Sequence, residues 1–243
     1  MGIKFSQTPQ IFKLLFLSKC FLSFSNQYHE SVEKIFTLQD IEAFERFYRV
    51  NFITKLCGIR NANLIGTIDE NGIPNLAIFN SVTHIGANPP FMGFVNRPLT
   101  VPRQTYDNIK REGFFTINMV DTSFIKKAHQ TSAKYEKGIS EFKTCELTPF
   151  QLDDFQIPFV KESPIKIGLS FEEEHLIKCN QNILIVGKIQ KVILPEKALA
   201  EDGNILLEKI NTAGVAGLDS YFEINKLARL EFARPNQAVR EKV

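Results

Sequence analysis

Tryptophan is missing from this chain of 243 residues, and cysteine, histidine and methionine are scarce. The histidines lie far apart, without metal-binding spacing, at His29, His84, His129 and His175. The cysteines form no CxxC pair and lie at Cys20, Cys57, Cys145 and Cys179. This excludes a dense disulfide framework and argues against a zinc site. We therefore expect no metal, and buried free thiols in a reducing cytoplasm.

The chain also lacks any block of charge of one sign. Its formal net charge is +2, and lysines and arginines alternate with acidic residues, which argues against a nucleic-acid-binding protein. No GxGxxG follows a predicted strand, and neither GxxxxGK[ST] nor GxSxG occurs. Dinucleotide-binding folds, P-loop nucleotidases and common serine hydrolases thus lose their main support.

Long hydrophobic runs are missing as well. The most apolar stretch, residues 11–25, is interrupted by Lys13 and Lys19, and it is too short to span a bilayer. We expect no stable membrane insertion. The first 34 residues form an N-terminal extension, which is either a signal-like segment that leaves export open, an extra helix, or residues added by an upstream start. We expect one domain over residues 35–235 and a short tail over 236–243.

Alternating apolar patterns dominate the rest of the chain. Residues 36–56 have helical spacing, with Thr37 as N-cap. Two β runs between residues 62 and 87 flank the turn "DENG", which predicts a hairpin. Further strands are predicted at "PPFMGFV", "FFTINMV", "SPIKIGLSFEEEHLIKC" and "QNILIVGKIQKVIL", with short helical pieces in the polar loop "HQTSAKYEKGISEF" and a late strand and turn near "GVAGLDSYFE". Many strands without a βαβ rhythm favour a closed β-barrel with attached helices.

One segment, "NRPLTVPRQTYDNIKREGFFTIN", suggests an anion site. We predict a helix here, with Thr100 as N-cap, Pro102 in the first turn and Gly113 at the C-terminal stop. A helix N-terminus offers free N–H groups and a partial positive charge. Thr100, Arg103 and Thr105 add donors, and Arg97 enters from the preceding strand, so a monophosphate would fit. The simpler alternative is a capping threonine beside solvated arginines.

Several blocks in order resemble the flavin reductase-like, FMN-binding split-barrel family, and its flavoredoxin-like branch in particular. They are "NLAIFNSVTHIG", "PPFMGFVNRPLTVPRQTYDNIKREGFFTIN", "AHQTSAKYEKGISEF" and "GVAGLDSYFE", and the likeness extends from about residue 35 to 235. The resemblance implies a mainly β fold, a six-stranded Greek-key split barrel with peripheral helices. It also implies bound FMN and a homodimer with the flavin near the subunit interface.

The resemblance implies a set of cofactor-binding residues. The end of the second strand would lie along the flavin ring, through Asn80, Ser81, Val82 and Thr83. The ribityl phosphate would be held by Arg97, Thr100, Arg103 and Thr105, and Asn108 would reach the same region or pack. Ser132 and Lys134 resemble the loop over the flavin, and Tyr221 the late turn that approaches the ring, although Lys134 could be a surface lysine and Tyr221 an interface filler.

The implied function is an oxidoreductase that passes hydride from NAD(P)H to bound FMN and on to a small acceptor or a redox partner protein. No catalytic acid, base or nucleophile is assigned, because hydride delivery requires none. One alternative is a flavin-binding electron carrier or sensor fed by a partner. Another is a barrel without a cofactor, acting as a structural or interaction module.

Overall fold

A computed structural model describes residues 33–242, and the chain divides into two compact units after Phe44. In the described part of the first unit, α1 spans Leu38–Ala43. Its N-cap is Thr37, as predicted, and the Asp40 backbone N–H donates to Thr37 Oγ1 at 3.2 Å while Asp40 Oδ2 accepts from the Thr37 N–H at 2.8 Å. Most of the predicted extension, including Cys20 and His29, lies outside the described residues.

The remaining elements belong to the second unit. In chain order they are α2 (Arg46–Lys55), β1 (Arg60–Asn61), β2 (Asn63–Ile68), β3 (Pro74–Phe79), β4 (Thr83–Ala87), β5 (Pro90–Asn96), α3 (Gln104–Glu112), β6 (Phe114–Met119), α4 (Ile125–Gln130), α5 (Glu141–Thr144), β7 (Pro149–Leu152), β8 (Phe155–Val160), β9 (Lys166–Ile177), β10 (Asn182–Ile193), β11 (Ala213–Ala216) and β12 (Ser220–Glu223). Short 3-10 turns occur at Thr122–Phe124, Glu196–Ala198 and Leu207–Lys209.

The single helix predicted over residues 36–56 is wrong, because the chain leaves the helical conformation at Phe44 (φ −59°, ψ 141°). A second N-cap follows at once: Glu45 Oε2 accepts from the Phe47 N–H at 2.8 Å. Glutamate is not among the favoured N-cap residues, so the sequence carried no clear sign of the break.

The main sheet is antiparallel throughout, with the strand order β3-β2-β6-β9-β10-β5-β4. Its two edge strands, β3 and β4, are consecutive in the chain and joined by only residues 80–82. Ser81 bridges the bend, since its Oγ accepts from the Val95 N–H at 3.0 Å and donates to the Val95 carbonyl at 3.1 Å. Counting β3 and β4 as one bent strand closes six strands into a barrel, which confirms the predicted split-barrel fold.

The predicted hairpin is confirmed by β2, β3 and their turn. Asp69 Oδ1 accepts from the backbone N–H groups of Asn71 and Ile73 at 2.9 and 2.8 Å. Gly72 takes a positive φ of 78°, a conformation that glycine adopts without steric cost.

Large apolar side chains fill the barrel interior. Phe94 is fully buried and meets Phe79 and Phe115 edge to face, with ring centroids 4.9 and 5.7 Å apart. Ile109, from α3, is also fully buried in this cluster. Each such side chain contributes roughly 1.5–3 kcal/mol on burial, so α3 is held firmly at the barrel.

The hairpin β7–β8 was not predicted. It packs against the outside of the barrel, where Asn118 Oδ1 accepts from the Val160 N–H at 2.9 Å and Thr116 Oγ1 donates to the Pro158 carbonyl at 2.8 Å. A Cβ on Gly66 would collide with both the Thr116 hydroxyl and that carbonyl. The close approach of the hairpin therefore depends on glycine at position 66.

A second sheet, β1-β11-β12, carries the late turn. Gly217 follows β11 with φ 62°, and Ser220 begins β12. The ion pair between Lys55 of α2 and Asp219, at 3.1 Å, places α2 beside this turn.

Of the three cysteines in the described part of the chain, Cys145 is buried as expected, whereas Cys57 and Cys179 are exposed on the surface. Cys57 lies two residues after the end of α2, and Cys179 lies two residues after the end of β9, so neither belongs to the apolar face of an element. Within residues 33–242, no three His, Cys, Asp or Glu side chains gather in a metal-binding arrangement. The same residues contain no helix of the length and apolarity that a membrane span requires.

Candidate functional site

The predicted helix start at Thr100 is wrong. Helix α3 begins at Gln104, with Arg103 in the N-cap position (φ −127°, ψ 85°), and the predicted stop at Gly113 is confirmed by its left-handed φ of 72°. The physical reason lies at Pro102, because a residue that precedes proline is disfavoured in the helical region. Val101 is therefore disfavoured as the first helical residue, and Thr100 lies on an exposed turn before the helix.

The start of α3 nevertheless keeps its free donors. No side chain caps the helix, and its first backbone bond runs from the Asp107 N–H to the Arg103 carbonyl at 2.9 Å. The N–H groups of Gln104, Thr105 and Tyr106 thus have no acceptor within the helix. Together with the helix dipole, they form a site with positive potential.

Two arginines flank these donors. Arg103 is half-buried, and its Nε donates to the Pro98 carbonyl at 3.3 Å, which fixes the side chain beside the helix start. Arg97 is exposed at the end of β5. Its carbonyl accepts from Asn96 Nδ2 at 2.8 Å, and Asn96 is itself buried. The backbone that carries Arg97 is therefore fixed while the guanidinium remains in solvent.

A buried polar network supports the first turn of α3. Asn75 Nδ2 donates to Thr105 Oγ1 at 3.3 Å and to Thr67 Oγ1 at 3.1 Å. Asn108 Nδ2 also donates to Thr67 Oγ1, at 3.0 Å, and Asn108 Oδ1 accepts from Arg111 at 3.1 Å. Asn108 therefore packs, which is one of the two alternatives that the sequence left open. Thr105, which is 7% exposed, accepts from Asn75 and keeps its own proton available for donation.

The bend between β3 and β4 brings three distant parts of the chain together. Asn80 Nδ2 donates to the Gly217 carbonyl in the late turn at 2.6 Å. The side chain of its neighbour Ser81 is hydrogen-bonded to the backbone of Val95, two residues before Arg97. The predicted ring-binding segment thus lies between the late turn and the arginine-bearing loop.

The alternation of faces along the strand is interrupted at this bend. Phe79 and Val82, which a period of two would place on opposite faces, both pack against the barrel cluster. Thr83 is exposed at the start of β4. Because the strand leaves β2 and joins β5 within residues 80–82, the period of two is interrupted there.

Tyr221, on β12, contacts His129, which the sequence did not identify as a binding residue. Its hydroxyl lies 3.0 Å from His129 Nδ1, and the two rings meet edge to face at 5.8 Å. Burial, followed by the charge of Asp219, raises the pKa of Tyr221. The phenol therefore stays protonated at neutral pH.

The loop that carries Ser132 and Lys134 is exposed at both residues. It is held at its ends: Thr131 is buried and its Oγ1 donates to the Ala128 carbonyl at 2.8 Å, and Lys137 Nζ lies 2.6 Å from Glu70. The structure gives the side chains of Ser132 and Lys134 no hydrogen bond. They therefore lie on a tethered loop with their polar groups in solvent.

Sequence reasoning did not identify Asn75 and the Gly217 carbonyl as parts of this site. Asn75 is a buried amide in a strand, and a polar residue in the middle of an apolar run was the available signal. No sequence pattern could have identified the Gly217 carbonyl, because its partner Asn80 lies 137 residues away in the chain.

The model of the flavin reductase like domain matches residues 59–209. A solved structure from Shewanella frigidimarina, described as a flavin reductase with a split barrel domain, is 44% identical, covers 83% of this chain and 100% of its own, and has a TM-score of 0.80. Nitrilotriacetate monooxygenase component B from Bacillus cereus is 18% identical, with coverages of 80% and 98% and a TM-score of 0.71. Flavoredoxin from Desulfovibrio vulgaris is 22% identical, with coverages of 74% and 93% and a TM-score of 0.62. These two likenesses concern the fold alone. No curated protein matches the sequence.

Proposed function

Because the chain belongs to the flavin reductase-like family, we propose that it is an FMN-binding oxidoreductase. It takes hydride from NADH or NADPH and passes electrons to a small acceptor or a redox partner protein. The observation that supports this most strongly is the uncapped start of α3 flanked by Arg97 and Arg103.

The donors at this helix start fit a phosphate monoester. Three backbone N–H groups, the dipole of a nine-residue helix and two guanidinium groups all favour a dianion. The hydroxyl of Thr105 adds a donor fixed by Asn75, and that of Thr100 adds one on the preceding turn. The phosphate of FMN is such a dianion, and a neutral ligand would leave most of these donors unused.

The bend at residues 80–83 fits the polar edge of a flavin ring. Both hydrogen-bonding roles of the Ser81 hydroxyl are taken by Val95, so Ser81 contributes its backbone. Asn80 uses its amide N–H on Gly217 and keeps its Oδ1 as an acceptor. Val82 offers apolar contact, and Thr83 offers an exposed hydroxyl.

Tyr221, Ser132 and Lys134 complete the proposed site. Tyr221 is oriented by His129 and stands on β12, four residues after the carbonyl that binds Asn80. Ser132 and Lys134 would supply a hydroxyl and an ammonium from the tethered loop. Asn108 acts indirectly, by holding α3 through Thr67.

When bound, FMN supplies a ring that accepts hydride from reduced nicotinamide and returns electrons to an acceptor. The chain's own contribution is position and electrostatics. The arginines and the helix start hold the anionic end, and the bend at Asn80 orients the polar edge. We assign no residue as a proton donor or nucleophile.

We further propose a cytoplasmic homodimer. Phe222 on β12 and Ile224 directly after it are 40% and 46% exposed, which leaves an apolar edge beside Tyr221 for a second subunit. The free thiols of Cys57, Cys145 and Cys179 fit a reducing compartment.

Anaerobic reduction of the purified protein tests the enzymatic proposal. We expect NADH or NADPH to bleach the visible absorption of bound flavin, and oxygen to restore it. Dithionite serves as the control for a flavin that can be reduced at all. A flavin that dithionite reduces and both nicotinamides leave oxidised would contradict the enzyme and favour an electron carrier fed by a partner.

A further inference from the structure

A single carboxylate connects three separate parts of the chain beside the proposed flavin site. Glu70 lies in the turn between β2 and β3. Its Oε2 accepts from Arg111 Nη1, on α3, at 3.1 Å, and its Oε1 pairs with Lys137 Nζ at 2.6 Å. Lys137 belongs to the loop of residues 131–140, which also carries Ser132 and Lys134. Glu70 therefore joins this loop to the helix whose first turn carries the proposed phosphate donors.

The Arg111 side of this connection is fixed by other contacts. Arg111 Nη2 donates to the Ile68 carbonyl at 2.8 Å and to Asn108 Oδ1 at 3.1 Å, and its Nε donates to Glu112 at 2.7 Å. Exposed ion pairs lose much of their value to the entropy of holding two long side chains in place. That cost is smaller here, because the guanidinium is already held before it meets Glu70.

Hydrogen bonds continue from Arg111 to the start of α3. Asn108 donates to Thr67 Oγ1 at 3.0 Å, and Asn75 donates both to Thr67 Oγ1 and to Thr105 Oγ1. Thr67, Asn75, Asn108 and Thr105 are all buried. The carboxylate that holds the loop is thus attached to the same polar network that fixes the Thr105 hydroxyl.

The loop side of the connection combines an apolar and an ionic contact. Tyr135 packs against a buried cluster of the core, and Gln130 Nε2 donates to its hydroxyl at 3.1 Å. Two residues later, Lys137 reaches Glu70. Their hydrogen bond lowers the pKa of Glu70 and raises that of Lys137. Both groups therefore stay charged at neutral pH, and the loop is held toward α3 by a full ion pair.

We propose that Glu70 is a positioning residue of the flavin site, which holds the loop of residues 131–140 to α3 and so slows the departure of bound FMN. The proposal rests on the proposed function, because it takes the loop to lie over the flavin and the start of α3 to hold the phosphate. Glu70 acts through Lys137 and Arg111 and does not itself contact the ligand. FMN leaves when the loop moves away from α3, and the ion pair opposes that movement.

The rate of FMN release from the flavin-loaded full-length protein tests the proposal. The recovery of flavin fluorescence after dilution measures this rate for wild type, Glu70→Gln, Lys137→Gln and the double variant. Asp154→Asn is the matched control, because it removes an exposed carboxylate that pairs with Lys191 at 2.5 Å, in the turn between β7 and β8.

We expect each single variant to release FMN roughly two- to fivefold faster than wild type, as the loss of one ion pair implies. The double variant should be no faster than the faster single variant, because both substitutions remove the same pair. Asp154→Asn should behave like wild type. High salt should speed release from wild type more than from Glu70→Gln, since screening weakens a pair that the variant lacks.

Limited digestion with trypsin gives a measurement that does not depend on flavin. Glu70→Gln keeps every lysine of the loop, and we expect cleavage between Lys137 and Gly138 to be faster than in wild type. Cleavage at the wild-type rate would overturn the hold on the loop.

The release rates separate this proposal from the proposed function. A protein that binds FMN and releases it equally fast from wild type and both single variants contradicts the role of Glu70 alone. Fast release from Glu70→Gln but not from Lys137→Gln would contradict the hold on the loop as well. A wild-type protein that takes up no FMN contradicts the proposed function and this proposal together.

Discussion

Replacing Arg103 by alanine should weaken FMN binding through the phosphate and leave the ring site intact. Arg103 occupies the N-cap position of α3, and its guanidinium is held by a hydrogen bond from Nε to the Pro98 carbonyl. A hydrogen bond to a charged group is worth about 1.5–3 kcal/mol. This corresponds to a dissociation constant raised roughly 10- to 150-fold.

The assay is titration of apoprotein by the quenching of flavin fluorescence, with FMN and with riboflavin, which lacks the phosphate. Lys110→Ala is the matched control, because Lys110 lies in the last turn of the same helix and pairs with Glu174 at 3.4 Å. We expect Arg103→Ala to lose affinity for FMN and to bind riboflavin as wild type does. Equal losses for both ligands would refute a phosphate contact and indicate a displaced loop, and unchanged FMN affinity would remove Arg103 from the site.

The turn that holds Asn80, the polar network beneath α3 and the buried carboxyl group of α5 can each be tested by one substitution. Gly217→Ala should weaken flavin binding several-fold, because φ 62° strains a side chain and the carbonyl that holds Asn80 would shift; unchanged affinity would contradict this. Asn108→Ala should lower the free energy of unfolding by about 1–3 kcal/mol, because it removes a buried bond to Thr67; chemical denaturation measures this, and no loss would show that the network is dispensable. Burial raises the pKa of the Glu141 carboxyl above its usual range. Between the ordinary pKa of the unfolded chain and this raised pKa, the folded state retains a proton that the unfolded chain releases, so stability should fall as pH rises through that interval. Glu141→Gln should flatten this decline in thermal unfolding, and parallel curves for the two proteins would contradict the assignment.

The barrel could be predicted from the sequence because its strands alternate strongly and its hairpin turn is explicit. Asp69 and Gly72 have the side chains that a tight turn requires, and the structure uses both. The long runs that became β9 and β10 likewise alternate over most of their length. For these elements, the local pattern of residue types was sufficient to predict the structure.

The predictions from the sequence were wrong where tertiary contacts or competing local preferences determine the conformation of the chain. Thr100 and Pro102 carry the signals of a helix start, but Pro102 disfavours the helical conformation at Val101, and the helix begins only at Gln104. The bend at Ser81 has no glycine or proline to indicate it, because it is made by hydrogen bonds to Val95 on another strand. A pattern of residue types does not contain such a long-range partner.

The residues of the candidate site also divide into those that a local sequence pattern could identify and those that it could not. Arg97, Arg103 and Thr105 could be grouped from the sequence because they lie within one short segment that precedes and begins a helix. The hydrogen bond between Asn80 and Gly217 could not be predicted, since closure of the barrel brings these residues together.

FMN binding is tested most directly by the visible absorption spectrum of the purified protein, with the released chromophore identified by chromatography. We expect a flavin spectrum and FMN as the released species, or uptake of added FMN by a protein that has lost it. A colourless protein that takes up no FMN would contradict FMN binding and leave the start of α3 with a purely structural role.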